Sequence, residues 1–338
     1  MKPNLDQSTG IFGASVLLKN LLAMQAEIDG VRQAKDIEAI HRMRVASRRL
    51  RNALPLFADY LPTRKVAIWQ KQLQKTTRSL GAARDTDVQI EILKDFLNKI
   101  PVPELKYGVR RLLLRWHQKR LKLQEDVNQS IDELVKAKTL DQLQQFLEPL
   151  AQQKEKDFVI TSDLFKLAST SISGRLDEFL SYEEIIYEPE NIEQLHLMRI
   201  SAKWLRYSLE TFAPLYADEL KKYIQVMREV QDVLGEIHDC DVWVQILPAF
   251  LQREIHRTIA YYGNAAQVKQ LSAGILNFQQ TRQDERNRLY QVYINEWSGW
   301  KSANLWNRLR NIIQIPLDLT ADIYPPPPSA YQSAADFK

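Results

Sequence analysis

Apolar residues recur along most of this chain at spacings of three and four, the pattern of helices that bury one face. It predicts a helix over about 12–30 and a second over about 36–58, broken by Leu61-Pro62-Thr63. Thr63 can cap a third helix that runs to a stop at Leu80-Gly81, and Asp85 or Asp87 a fourth that ends before Ile100-Pro-Val-Pro103. A long helix over about 104–137 and a shorter one to about 150 complete the first half. Periodicity resumes over 161–181, and Tyr182 to Asn191, with Pro189, reads as the connection to a helix near 192–212. Further helices are expected near 218–234, 241–262, 264–297 and 303–314, with a kink or break at Pro248. Pro325-Pro-Pro-Pro328 is polyproline-like and begins a loose tail.

The second of these helices occurs twice. Ile37-Glu-Ala-Ile-His41-Arg-Met-Arg44 and its continuation match Ile192-Glu-Gln-Leu-His196-Leu-Met-Arg199 at an offset of 155. The offset aligns Arg48 with Lys203, Arg51 with Arg206, Leu54 with Leu209 and Phe57 with Phe212. Farther on, Leu80-Gly-Ala-Ala-Arg84-Asp85-Thr-Asp87-Val88 matches Leu234-Gly-Glu-Ile-His238-Asp239-Cys-Asp241-Val242 at an offset of 154. The expected fold class is therefore all-α: two helical bundles, 1–155 and 156–315, related by internal duplication and pseudo-twofold symmetry, then the tail 316–338.

At about 100° per residue, His41, Arg44, Arg48 and Arg51 share an arc of roughly 80°, apart from the apolar arc of Met43, Leu50, Leu54 and Phe57. From His41 to Arg51 there are five arginines and no acid; from His196 to Arg206 there are three cations and no acid. Such a stripe can be a solvated face. Its duplication, with the histidine and without neutralising acids at i,i+4, points instead to an anion. Lys71, Lys75 and Arg78 share a face of the next helix, and Arg111, Arg115, Lys119 and Lys122 a face of the long one. Arg282 and Arg286 occupy the corresponding long helix of the second half. Glu229 and Asp232 match Lys75 and Arg78, so the second half is less basic.

Composition sets outer bounds. A net charge of +4 means that any working electropositivity is concentrated. One cysteine, Cys240, excludes an internal disulfide and suits a reducing cytoplasm, the expected location. The N-terminal residues do not read as a secretory signal, and no uninterrupted apolar run of about 18 residues predicts a membrane span.

The H-x-x-R-x-x-x-[RK]-x-x-[RK] helix, repeated and followed by L-G-x-x-x-D-x-D-V, resembles the CHAD family, the conserved histidine α-helical domain, over roughly 10–312. The resemblance implies two four-helix bundles with a basic groove or pore between them, and inorganic polyphosphate bound there rather than hydrolysed. Carried over by position, it names His41, Arg44, Arg48, Arg51, His196, Arg199, Lys203 and Arg206. Family members often follow a domain bearing an E-x-E-x-K signature, which this chain lacks. Four side chains over ten helical residues also make a ladder about 15 Å long, suited to a regularly charged chain. Arginine meets phosphate bidentately and lysine as a point charge.

Other classes fit less well. His238-Asp239 suggests a metal phosphohydrolase, but Arg84-Asp85 holds the same place in the first copy and arginine is no metal ligand. Asp85/Asp87 and Asp239/Asp241 are readable as a Mg²⁺ pair, as caps or as partners for arginines. No catalytic, metal or cofactor site is expected. The alternative function is single-stranded nucleic-acid binding, with Trp204 and Tyr207 stacking on bases; Arg49 and Asn52 replace them in the first copy. A structural adaptor on polyphosphate granules is a third class.

Overall fold

The structure, a computed structural model, describes residues 5–34, 36–153 and 158–314, and no strand occurs among them. The tail, with Pro325 to Pro328, lies outside the described residues. The helices are α1 (Gln7–Ala26), α2 (Ile28–Gln33), α3 (Ile37–Leu56), α4 (Thr63–Lys99), α5 (Pro103–Lys136), α6 (Thr139–Ala151), α7 (Ser162–Leu180), α8 (Ile192–Phe212), α9 (Lys221–Tyr262), α10 (Val268–Ser302) and α11 (Leu305–Ile313). Asp36 caps α3 by accepting from the Glu38 amide at 2.8 Å, and Asn191 caps α8. Gly263, at φ +73°, supplies the left-handed residue that ends α9.

Three expected interruptions do not end a helix. α4 runs on through Gly81, and α9 through Gly235 and Pro248. Glycine costs a helix only about 1 kcal/mol relative to alanine, and Gly81 is buried beneath Arg44. Asp85 and Asp87 are interior positions of α4 that hold arginines instead of capping a helix. Pro248 cannot donate to the carbonyl of Val244 four residues back. The side-chain amide of Gln279, on α10, donates to that oxygen at 3.3 Å, so the proline leaves no orphan acceptor.

The described residues fall into two compact units. The first gathers Gly10–Lys156 with Gly235–Val292, and the second gathers the N-terminal residues to Thr9, Asp157–Leu234 and the chain from Tyr293. α9 and α10 thus contribute to both.

In the first unit α4 packs against α3 and α5. A core of Ile90, Leu93, Val109, Leu112, Trp116, Trp243, Leu247, Ile275 and Phe278 joins α4 and α5 to the adjoining parts of α9 and α10. α5 and α10 cross there at glycines. A Cβ on Gly108 would lie 2.2 Å from the Leu271 carbonyl oxygen, and one on Gly274 would lie 2.0 Å from that of Leu105. The crossing is reciprocal, since Leu105 and Leu271, like Gly108 and Gly274, stand 166 positions apart.

In the second unit α7 packs on α8 and α11. Trp297 and Trp306 close on Phe179 at ring distances of 5.6 and 5.5 Å and hold α11 in place.

The segment Gln7–Gln33 is long and apolar enough, by length and composition, to cross a membrane. Polar residues punctuate it, so it contains no uninterrupted apolar run of that length. Its Ile11, Phe12, Leu17, Leu21 and Met24 are buried in the protein, which accounts for its composition.

Candidate functional site

All eight stripe positions, four on α3 and four on α8, are half-buried. On each helix the side chains are therefore partly anchored in the protein and partly open to solvent.

In the first unit the cations of α3 meet α4. Arg44 lies over Gly81, where a Cβ would stand 3.5 Å from its Nε, and reaches Asp85 with Nη2 to Oδ1 at 3.1 Å. Arg84 donates to Glu38 at 3.1 Å. Burial, then the field of Arg84, pushes His41 below its ordinary value; Glu38 opposes this, and Arg44 and Arg48 add to it. Burial and the nearby Arg78 likewise lower the Arg51 guanidinium. The free protein therefore holds like charges close together on partly desolvated side chains.

Arg84 is the functional candidate that sequence reasoning missed. Its signal was present, since position 84 carries a cation in a motif that recurs with His238 in its place. The stripe is also not free of acids, as its local sequence suggests, because Asp85 and Glu38 reach it across the helix pair.

The remaining expected cations divide. Arg78 joins the stripe through Arg51. Lys75 is paired with Glu133 of α5, and Lys71 and Lys122 are exposed. Lys119 lies over the Trp116 ring, 5.5 Å from its centre. Arg115 binds Glu254 bidentately at 2.9 and 3.2 Å, and Arg111 stands 3.8 Å from the same carboxylate. Arg282 crosses the Phe278 ring at 5.4 Å. Arg286 is only 3% exposed and donates to Asp241 at 2.8 Å, so it is a core ion pair and not a ligand-facing cation. Arg120 makes the same bond to Asp87 at 2.7 Å, and Arg120 and Arg286 are again 166 positions apart. The second aspartate of each D-x-D thus serves an arginine. Among the described residues no group of acids, histidines and cysteine has the arrangement of a metal site.

In the second unit α8 carries His196, Arg199, Lys203 and Arg206. Burial, then Arg199 and Lys203, lowers His196. Arg206 sits 3.6 Å from Glu210 and over the Tyr207 ring at 5.4 Å. Tyr207 is 2% exposed, and Arg175 of α7 covers the Trp204 ring at 5.8 Å, so these aromatics pack against protein. Burial raises the Cys240 thiol to about 11, which leaves it protonated and unreactive near neutrality.

The profile of the CHAD domain family matches residues 15–248. Among solved structures, the CHAD domain from the plant Ricinus communis aligns with a TM-score of 0.59 at 22% identity, covering 86% of this chain and 93% of that one. PptA from Streptomyces chartreusis aligns with a TM-score of 0.52 at 14% identity, covering 85% and 99%. Both are likenesses of fold. No curated protein matches the chain.

Proposed function

Because this chain belongs to the CHAD domain family, we propose that it binds inorganic polyphosphate on its histidine-headed cationic stripes, without catalysis. One observation carries the reading. His41 stands among Arg84, Arg44 and Arg48, and Arg51 stands beside Arg78, so that burial and like charge depress both His41 and Arg51. A polyanion removes that repulsion and gains charge-assisted hydrogen bonds of about 1.5–3 kcal/mol each. The α3 ladder, about 15 Å long, spans several phosphate units, and α3 carries no phenylalanine, tyrosine or tryptophan on which a base could stack. Arg44, Arg48, Arg51, Arg78 and Arg84 are the principal contacts, with Arg199, Lys203 and Arg206 on α8 the weaker set. In this reading the protein acts in the cytoplasm, on polyphosphate granules where these form.

The direct test is competition among long-chain polyphosphate, triphosphate and single-stranded DNA at matched charge and salt. Polyphosphate should displace both others. DNA that competes equally well would favour the nucleic-acid reading and set this one aside.

A further inference from the structure

Beside the glycine crossing of α5 and α10 the first unit has an open cavity of about 310 Å³. Tyr107, Arg110, Arg111 and Leu114 line it from α5, with Gln267, just before α10, and Gln270, in its first turn, opposite them. The crossing builds the cavity, because helices that touch backbone to backbone at Gly108 and Gly274 bring these longer side chains face to face.

Its electrostatics are positive. Among the described residues no acid lines it, and Glu254, the carboxylate that Arg111 approaches, is 1% exposed and already engaged. Arg115 holds that carboxylate bidentately, and Arg257 donates to it at 2.5 Å. Arg111 stays at 3.8 Å, beyond hydrogen-bonding distance. Three guanidinium groups thus share one carboxylate before Arg110 is counted. Among the described residues Arg110, Gln267 and Gln270 find no side-chain hydrogen-bond or ion-pair partner, so their donors are available.

The cavity also has an apolar and aromatic side. Tyr107 is 54% exposed and Leu114 48%. The volume lies at the lower end of small-molecule pockets, roughly 300–1,000 Å³, and an orthophosphate ion would leave most of it empty. We propose that this cavity binds a small phosphate ester of mononucleotide size, its phosphate on Arg110 and Arg111 and its ring system against Tyr107 and Leu114. Arginine supplies the paired donors that phosphate accepts, and an exposed tyrosine ring supplies the stacking face. The place is distinct from the histidine stripe. Arg110 lies ten residues, about 15 Å, along α5 from Arg120, the residue that bonds Asp87 near the stripe. The inference does not depend on the polyphosphate reading.

The test is calorimetric titration of the full chain with AMP, beside orthophosphate and adenosine, for the wild type, Arg110→Ala, Tyr107→Ala and the stripe variant Arg48→Glu with Arg51→Glu. AMP should bind saturably and more tightly than either fragment. Both cavity variants should weaken it at least tenfold with unchanged melting, and the stripe variant should leave it intact. Arg110 and Tyr107 are exposed, so neither change threatens the core. The proposal is overturned if AMP does not saturate, if a fragment binds as well, if either cavity variant keeps wild-type affinity, or if the stripe variant abolishes binding.

Discussion

Arg44 bonds Asp85 across the face of Gly81, and the pair sits in the middle of the cationic cluster of α3 and α4. Asp85 is 63% exposed, so the pair contributes little to stability, about 0–1 kcal/mol. Its larger effect is to hold the guanidinium and compete with an incoming anion. Asp85→Asn should therefore shift the melt by no more than a few degrees and tighten polyphosphate binding roughly two- to fivefold at low salt. Unchanged or weaker binding in a titration would show that Asp85 positions Arg44 more than it competes.

The glycines of α4 and α5 should respond in opposite directions to alanine. At Gly81 the new methyl would meet only Arg44 at ordinary contact distance, and α4 would gain about 0.5–1 kcal/mol of helix stability. At Gly108 it would strike the Leu271 carbonyl, forcing α5 and α10 apart at a cost of about 3 kcal/mol or more. Denaturant unfolding of the two variants checks both signs.

Gln279 and Pro248 should be coupled although they lie on different helices. Gln279→Leu should cost about 1–2 kcal/mol, because the Val244 carbonyl then has neither a helical nor a side-chain donor. In a Pro248→Ala background the restored amide takes that role and the same change should cost close to nothing. Additive effects in this double-mutant cycle would mean that the glutamine bond does not compensate for the proline.

Binding should tighten as pH falls. In the free protein burial and neighbouring cations hold His41 and His196 below their ordinary value, about 6.5. A bound polyanion raises both, so protons are taken up on binding. The histidine contribution is complete below the free-state value and fades as pH rises through the bound-state value. Affinity should rise roughly two- to tenfold from about pH 7.5 to 5.5. The stability of the free protein should move the other way. Neutral histidines favour the folded state above about 6.5, and that contribution is lost as pH falls through their depressed folded values. Calorimetry in buffers of different ionisation heat should register the proton uptake, and its absence would remove the histidines from the site.

Helix existence was legible because each helix buries one face, and the stripe because a histidine and three arginines at spacings of three and four leave Met43, Leu50 and Leu54 undisturbed in the core. Boundaries failed where the remedy comes from another helix. Gly81 is covered by Arg44, and the gap left by Pro248 is filled by Gln279. The same limit explains Arg286. A cation's place on a helical face is visible in sequence, but not the aspartate buried against it. The pairing of the two long helices was legible, but their residue register was not, because the offset grows from 154 to 166 between the D-x-D motif and the crossing. The second copy's helix runs farther before its turn, 42 residues in α9 against 37 in α4.

The central claim is that the α3 stripe binds polyphosphate, and one titration tests it most directly. Long-chain polyphosphate is titrated into the wild type and into Arg48→Glu with Arg51→Glu, with thermal melts recorded alongside. Arg51 lies off the apolar arc beside Arg78, so a carboxylate there gains an ion partner and the fold should survive. Loss of two charge-assisted contacts, about 1.5–3 kcal/mol each, should weaken binding at least tenfold while the melt moves only a few degrees. The matching Lys203→Glu with Arg206→Glu should weaken it less, since lysine is not bidentate and Arg206 already stands near Glu210. Wild-type affinity in the α3 variant, with its melt intact, would contradict the claim and leave the stripe as solvated surface.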